Sequence, residues 1–279
     1  MKYSVSMLFN KSKITLATLI LFSLGLFAGI IFSFPEAKVK QIIISTLETQ
    51  GQLSVTQGDI NISLFGIDAA NVQIQPDNPL LPTIPIQSLT ITPRWLSLLS
   101  KNPGGHLDMR LLSGTMTADM FRDGSLNLDA SQLNLAPLSL TDQTLIISGQ
   151  LTEMSLSSVV PLQKNSASLI RLTLKDINVA RNSDLKLAIN LGDIVINGSG
   201  RGHAFKITSL QASEGDLSIS GRGNILLGRD INTTKINMKL EIRPQESADP
   251  MIVELLQLGS RKTANGSYEL TLSGSLADL

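Results

Sequence analysis

The sequence predicts a mainly β protein: a curled, antiparallel, meander-like sheet with a few short helices, preceded by one N-terminal transmembrane helix. Three observations carry this. Residues 14–34 are 21 residues without a single charge. Beyond Gln50 the apolar residues change from a helical period to strict alternation, the mark of strands with one face buried. Short Gly, Asn and Asp signals separate the alternating runs, as tight turns between consecutive antiparallel strands require.

Residues 1–13 form a cytoplasmic tail and residues 14–34 the membrane helix, anchored through Ile14, Leu21, Phe27 and Phe34. At 1.5 Å per residue the run spans roughly 31 Å, close to the thickness of a bilayer's hydrocarbon core. A cleaved signal peptide is the alternative, but its apolar region is shorter and ends at small residues, whereas Ser33-Phe34-Pro35-Glu36-Ala37-Lys38 offers no such site. Lys2, Lys11 and Lys13 precede the span and Lys38 and Lys40 follow it. The short tail inside and a translocated body satisfy the positive-inside bias. The expected location is a bacterial inner membrane, with the bulk of the chain in the periplasm. Residues 35–48 read as an amphipathic juxtamembrane helix with Pro35-Glu36 in its first turn and Val39, Ile42, Ile43 and Leu47 on one side. It either caps the following domain or lies on the bilayer.

Residues 49–279 form the β-rich domain. Ile236, Met238, Leu240 and Ile242 alternate with Asn237, Lys239, Glu241 and Arg243. Tyr268, Leu270, Leu272, Gly274 and Leu276 share one side of the next run; Leu217, Ile219, Ile225 and Leu227 share a third, and Leu185, Leu187, Ile189 and Leu191 a fourth. Fully buried parallel strands would show unbroken apolar runs instead. Earlier strands are expected at 53–55, 60–64, 72–74, 84–91, 107–121, 126–133 and 145–156. Turns are expected at Asp123-Gly124, Gly215-Asp216 and Asn265-Gly266, with a hairpin at Gly192-Asp193. Helical interruptions are expected at 94–100 and at 250–258, the second with Asp249 as N-cap, Pro250 at its first position and Gly259 just beyond. A pattern of apolar residues with a mid-strand glycine recurs at 145–156, 194–202, 217–227 and 268–276. Such glycines mark bulges or bends and predict a sheet that curls. The candidate apolar concave face is Leu185, Leu187, Ile189, Leu217, Ile219, Ile225, Ile236, Met238, Leu240, Ile242, Tyr268, Leu270, Leu272 and Leu276.

Composition narrows the function. Lys plus Arg and Asp plus Glu are 23 each, a net charge of zero, without the basic excess that nucleic-acid binding needs. There is no cysteine and there are only two histidines, which excludes disulfides, thiolate metal sites and a cysteine nucleophile. His106 and His203 stand almost a hundred residues apart, outside any ligand spacing, and read as solvated loop or strand-end residues. Gly198-Ser-Gly200-Arg-Gly202 lacks the glycine spacing and following helix of a phosphate cradle. Trp95 is expected as a core or interface side chain, with a membrane-surface contact as the alternative. No catalytic residue, metal or cofactor is expected.

The chain resembles type II secretion system protein N and, more widely, the AsmA-like group of single-span proteins with curled periplasmic sheets. The resemblance rests on Phe34-Pro35-Glu36-Ala37 after the span, on 84–92 followed by Pro93-Arg94-Trp95-Leu96-Ser97-Leu98-Leu99, and on the runs 250–259 and 265–276. It implies a non-enzymatic, inner-membrane-anchored accessory that assists assembly of a type II (general) secretion system. Other components of that apparatus and inner-membrane lipids would be its partners. The AsmA-like side implies a lipid-binding or lipid-transfer protein, with phospholipid bound in an apolar groove.

Overall fold

The computed structural model describes residues 53–56, 58–63, 65–76, 82–136, 145–181, 188–228 and 233–275. The segments 1–13, 14–34 (with Ile14, Leu21, Phe27 and Phe34) and 35–48 lie outside the described residues, as do Leu185, Leu187 and Leu276. Among the described residues no helix is long and apolar enough to cross a membrane.

Fifteen strands form one antiparallel sheet. They begin with β1 (Leu53–Thr56), β2 (Asp59–Ser63), β3 (Gly66–Pro76), β4 (Ile84–Pro93) and β5 (Gly104–Leu111). Next come β6 (Gly114–Phe121), β7 (Ser125–Asn134), β8 (Leu145–Val159), β9 (Ala167–Arg181) and β10 (Ala188–Arg201). The last are β11 (Ala204–Ser213), β12 (Leu217–Leu226), β13 (Lys235–Pro244), β14 (Arg261–Lys262) and β15 (Tyr268–Ser275). From β3 to β13 every strand pairs with its successor, the meander expected of alternating runs joined by tight turns. β1 and β2 lie end to end along the free side of β3. At the other margin β15 pairs with β13, and only the two residues of β14 cover its start. The two margins do not pair with each other, so the sheet is not closed.

Antiparallel order gives the sheet two ends. Leu53, opposite Pro76, marks a proximal end where the chain comes into β1. The distal end carries the β2–β3 turn, the β4–β5 connection and the β6–β7 turn. The α-helix α1 (Pro250–Gly259) sits at the proximal end after β13. It starts as its sequence dictates: Asp249 Oδ1 accepts a hydrogen bond from the Met251 N–H at 2.8 Å, and Pro250 occupies the first turn. The helix includes Gly259 instead of stopping before it; Ser260 is the cap, its hydroxyl donating to the Leu256 carbonyl. The expected helix at 94–100 is a single 3-10 helix over Trp95–Leu99.

Two expectations are corrected. The run 107–121 is not one strand, because Leu112 and Ser113 both take positive φ (51° and 64°) and turn the chain between β5 and β6. A pair of left-handed residues is the turn whose twist matches a hairpin; neither is the Gly, Asn or Asp that normally advertises it. Gly192-Asp193 is not a hairpin. It lies inside β10, where the register with β9 shifts on both sides of Gly192, a β-bulge.

These irregularities have a shared consequence. Asn71, Gln132, Asp176 and Gly192 have φ of 54°, 58°, 53° and 64° on β3, β7, β9 and β10. At each the apolar alternation changes phase: Ala69 to Val72, Ala130 to Leu133, Leu174 to Ile177, Leu191 to Ile194. A left-handed residue inside a strand re-aims the side chains after it; beside Asp176 and Gly192 the register with a neighbouring strand shifts as well, as at a β-bulge, whereas β3 keeps its register with β4 across Asn71 and β7 with β8 across Gln132. The same chemical face therefore continues across each of these positions.

Candidate functional site

The register stacks apolar side chains into rows that cross the whole sheet. One row runs Ile60, Ala69, Leu89, Met109, Met116, Ala130, Met154, Leu172, Ile196, Leu210, Gly221, Leu240, Leu270. The next row toward the distal end passes from Ile62, Ile67, Ile91 and Leu107 through Leu128, Leu156 and Ile170 to Ile207, Met238 and Leu272, with Ala118, Gly198 and Gly223 between. On the proximal side Leu133, Leu151, Leu174, Ile194, Ala212, Ile219, Ile242 and Tyr268 face one another in turn. No position in these rows is charged. The opposite face is polar along its length, as in Asp68, Thr90, Asp108, Thr117, Asp129, Ser155, Arg171 and Asn197.

Most of the buried side chains lie in the proximal and middle rows, among them Ile86, Leu111, Leu133, Leu151 and Ala212; in the distal row Ile62 and Ile207 are buried, whereas Leu107, Leu128, Leu156, Ile170 and Met238 are half-buried, and Met120 is exposed. The proximal side is sealed on the last strands by α1, whose Ile252 is buried against Leu217, Ile242 and Tyr268. Of the residues expected to line a groove, Leu217, Ile242 and Tyr268 are thus core. Ile189, Ile219, Leu240 and Leu270 pack against that core. Ile225, Ile236, Met238 and Leu272 lie on the distal, half-buried part. A depression of about 720 Å³ lies there beside Phe205, Ile225 and Ile236. A second, of about 560 Å³, lies beside Ile91, Leu107, Ala118, Met120 and Leu126.

The contribution of β2–β9 to this face escaped sequence reasoning. Its signal was present as phase changes: Leu107, Met109 and Leu111 occupy odd positions, and Met116, Ala118 and Met120 even ones. A one-residue phase change inside an alternating run marks a turn or a bulge.

Side chains with chemistry are few. Beside the second depression, which His106 also lines, Asp119 accepts from His106 Nδ1 at 2.7 Å and pairs with Arg94. His106, the third residue of β5, keeps its side chain 38% exposed and has a carboxylate partner. Partial desolvation raises the Asp119 pKa, but the hydrogen bonds from His106 and Arg94 and the Arg94 charge outweigh it, and the net direction is down. Among the described residues no three His, Cys, Asp or Glu converge as a metal site. Ser158 and Ser168, buried at the distal margin of the apolar face, satisfy each other at 2.7 Å.

Trp95 is not core. It is 46% exposed and meets the Phe65 ring edge-on at 6.2 Å.

Comparison with family models, curated proteins and solved structures finds no match.

Proposed function

We propose that this chain is a non-enzymatic accessory of a type II secretion system, anchored in the bacterial inner membrane by residues 14–34 and carrying its sheet in the periplasm. It acts by binding, through surfaces that a single-layered sheet leaves available. The observation that carries this is the open margin. Outside Arg261 and Lys262, the stretch Leu270–Gly274 of the last strand has no sheet neighbour on one side among the described residues. It holds no charge and no proline, the devices that ordinarily blunt an edge against strand addition. A partner strand laid there would prolong the apolar rows. Deleting the gene tests the proposal. Export of a secreted hydrolase and assembly of the outer-membrane secretin should both fall, and unimpaired secretion with normal secretin assembly would refute it.

A second reading, lipid handling, is favoured by the uncharged rows. Side chains on one face of a single-layered sheet reach 3–8% exposure, as Ile86 and Leu151 do, only if their neighbours lean over them. That supports a face curled into a trough. Aliphatic, aromatic-poor walls suit acyl chains, each buried CH₂ contributing about 0.8 kcal/mol. Mass spectrometry of solvent extracts from the purified full chain should find phospholipid at near-stoichiometric amounts; none at all would sink this reading while leaving the secretion proposal standing.

A further inference from the structure

The distal end of the sheet displays apolar side chains that the fold does not bury. Phe65 in the β2–β3 turn is 48% exposed, Trp95 46% and Leu96 in the β4–β5 connection 87%. They do not stand on the apolar face but on connections beyond the strand ends.

Hydrogen bonds tie the connections that carry the display. Ser97 Oγ accepts from the Gly104 N–H at 2.8 Å and donates to the Arg94 carbonyl at 2.6 Å. Asn102 Oδ1 accepts from the Asp123 N–H at 3.0 Å, tying the β4–β5 connection to the β6–β7 turn. The Arg94 guanidinium lies over the Phe121 ring at 5.4 Å. The tip so tied leaves Leu96 87% exposed.

Charge identifies the occupant. Arg94, Lys101 and Arg122 surround the tip and are exposed. Among the described residues two carboxylates lie at the tip, Asp119 engaged by Arg94 and His106 and Asp123 hydrogen-bonded by the Ser125 N–H and hydroxyl, so the three cations leave it a positive excess. Indole, aliphatic and basic side chains together fit the boundary of an anionic bilayer. A second exposed apolar group, Met251, Leu255 and Leu258 on α1, stands beside Glu246, Asp249 and Glu254, with Arg261 and Lys262 as the nearby cations in sequence, and lacks this complementarity.

We propose that the Phe65–Trp95–Leu96 tip docks on the surface of an anionic phospholipid bilayer facing the distal end of the sheet. That end lies opposite the one at which Leu53 enters, a strand length of roughly 37 Å for the 11 residues of β3.

Trp95 is the sole tryptophan and reports the contact directly. Full-length protein in nanodiscs of unlabelled lipid is mixed with vesicles of phosphatidylcholine and phosphatidylglycerol carrying bromines on the acyl chains. Trp95 emission should shift to the blue and lose about half its intensity, and high salt should weaken both effects. If residues 14–34 do not insert, the protein stays outside the discs, and the same vesicles test the tip without them. Leu96→Asp should lower vesicle partitioning about tenfold or more, the loss expected for one leucine-sized insertion; Leu255→Asp on α1 should leave it unchanged. Lys101→Glu with Arg122→Glu should abolish the preference for anionic over neutral vesicles. Unaltered Trp95 emission at saturating vesicle concentration would overturn the proposal, as would loss of docking in Leu255→Asp with Leu96→Asp intact.

Discussion

Replacing Gly192 by alanine discriminates a bulge from a surface hairpin. In a two-residue hairpin the new methyl would point to water, and the cost would be that of a left-handed residue alone, about 1–2 kcal/mol. In the structure a Cβ at Gly192 would stand 2.1 Å from the Ser213 carbonyl oxygen, 2.5 Å from the Glu214 carbonyl carbon and 2.6 Å from the Gly215 nitrogen. All three are backbone atoms, so no side chain can swing aside. Gly215 meets the same crowding from the other direction, its own Cβ position lying 2.4 Å from the Asn190 carbonyl oxygen. Adding an overpacking cost of about 1–3 kcal/mol to the backbone strain gives a total of about 2–5 kcal/mol. The assay is urea unfolding followed by far-ultraviolet circular dichroism, with hydrogen exchange across β10 and β11 to locate the loss. Gly192→Asn sharpens it, because asparagine tolerates positive φ but carries the same Cβ. Both variants should be damaged to a similar degree, with exchange accelerated first at 190–195 and 211–216. A loss below about 1 kcal/mol, or asparagine restoring stability, would show that Gly192 does not face the Ser213–Gly215 backbone.

Three further outcomes follow from the same geometry. Ile252→Ala should cost about 2–5 kcal/mol locally, since Ile252 is 3% exposed, and Asp249→Ala about 1 kcal/mol through loss of the cap; hydrogen exchange in α1 and at Tyr268 reads both. The Asp119 carboxyl is held below its ordinary range, so its contribution is present above about pH 4, the unfolded value, and is lost as pH falls through the lower folded value. Trp95 fluorescence should therefore change on acidification below about pH 4 in the native chain, and Asp119→Asn should remove that transition. On the lipid reading, Leu156→Glu in the half-buried row should strip bound phospholipid while Ser155→Glu, one residue away on the polar face, should not; equal lipid content in the two would count against the apolar face as the site.

Much of the architecture is legible in the sequence because a strand exposes its environment through alternate residues. The runs at 217–227, 236–243 and 268–276 state their faces, and Asp249-Pro250 states where α1 starts. What escaped was where the chain breaks the period. Leu112 and Ser113 turn, and Gln132 re-aims β7, although none of the three belongs to the residue types that favour left-handed backbone; Asn71 and Asp176 do belong to them, but one such residue inside an alternating run does not announce a phase change. Their conformations are imposed by the pairing of neighbouring strands, which no local propensity reports. The site was half legible for the same reason: the rows were read where alternation is clean and missed in β2–β9, where bulges shift its phase.

The sequence by itself determined the β class, the direction of the apolar face along each clean strand and the scarcity of reactive side chains, because these depend on residue type and spacing alone. Tertiary structure decided which of those apolar residues are sealed and which are accessible, and it brought Phe65 and Trp95, thirty positions apart in the chain, to one tip. Register sums small local offsets over fourteen neighbouring strands, and only the folded sheet holds that sum.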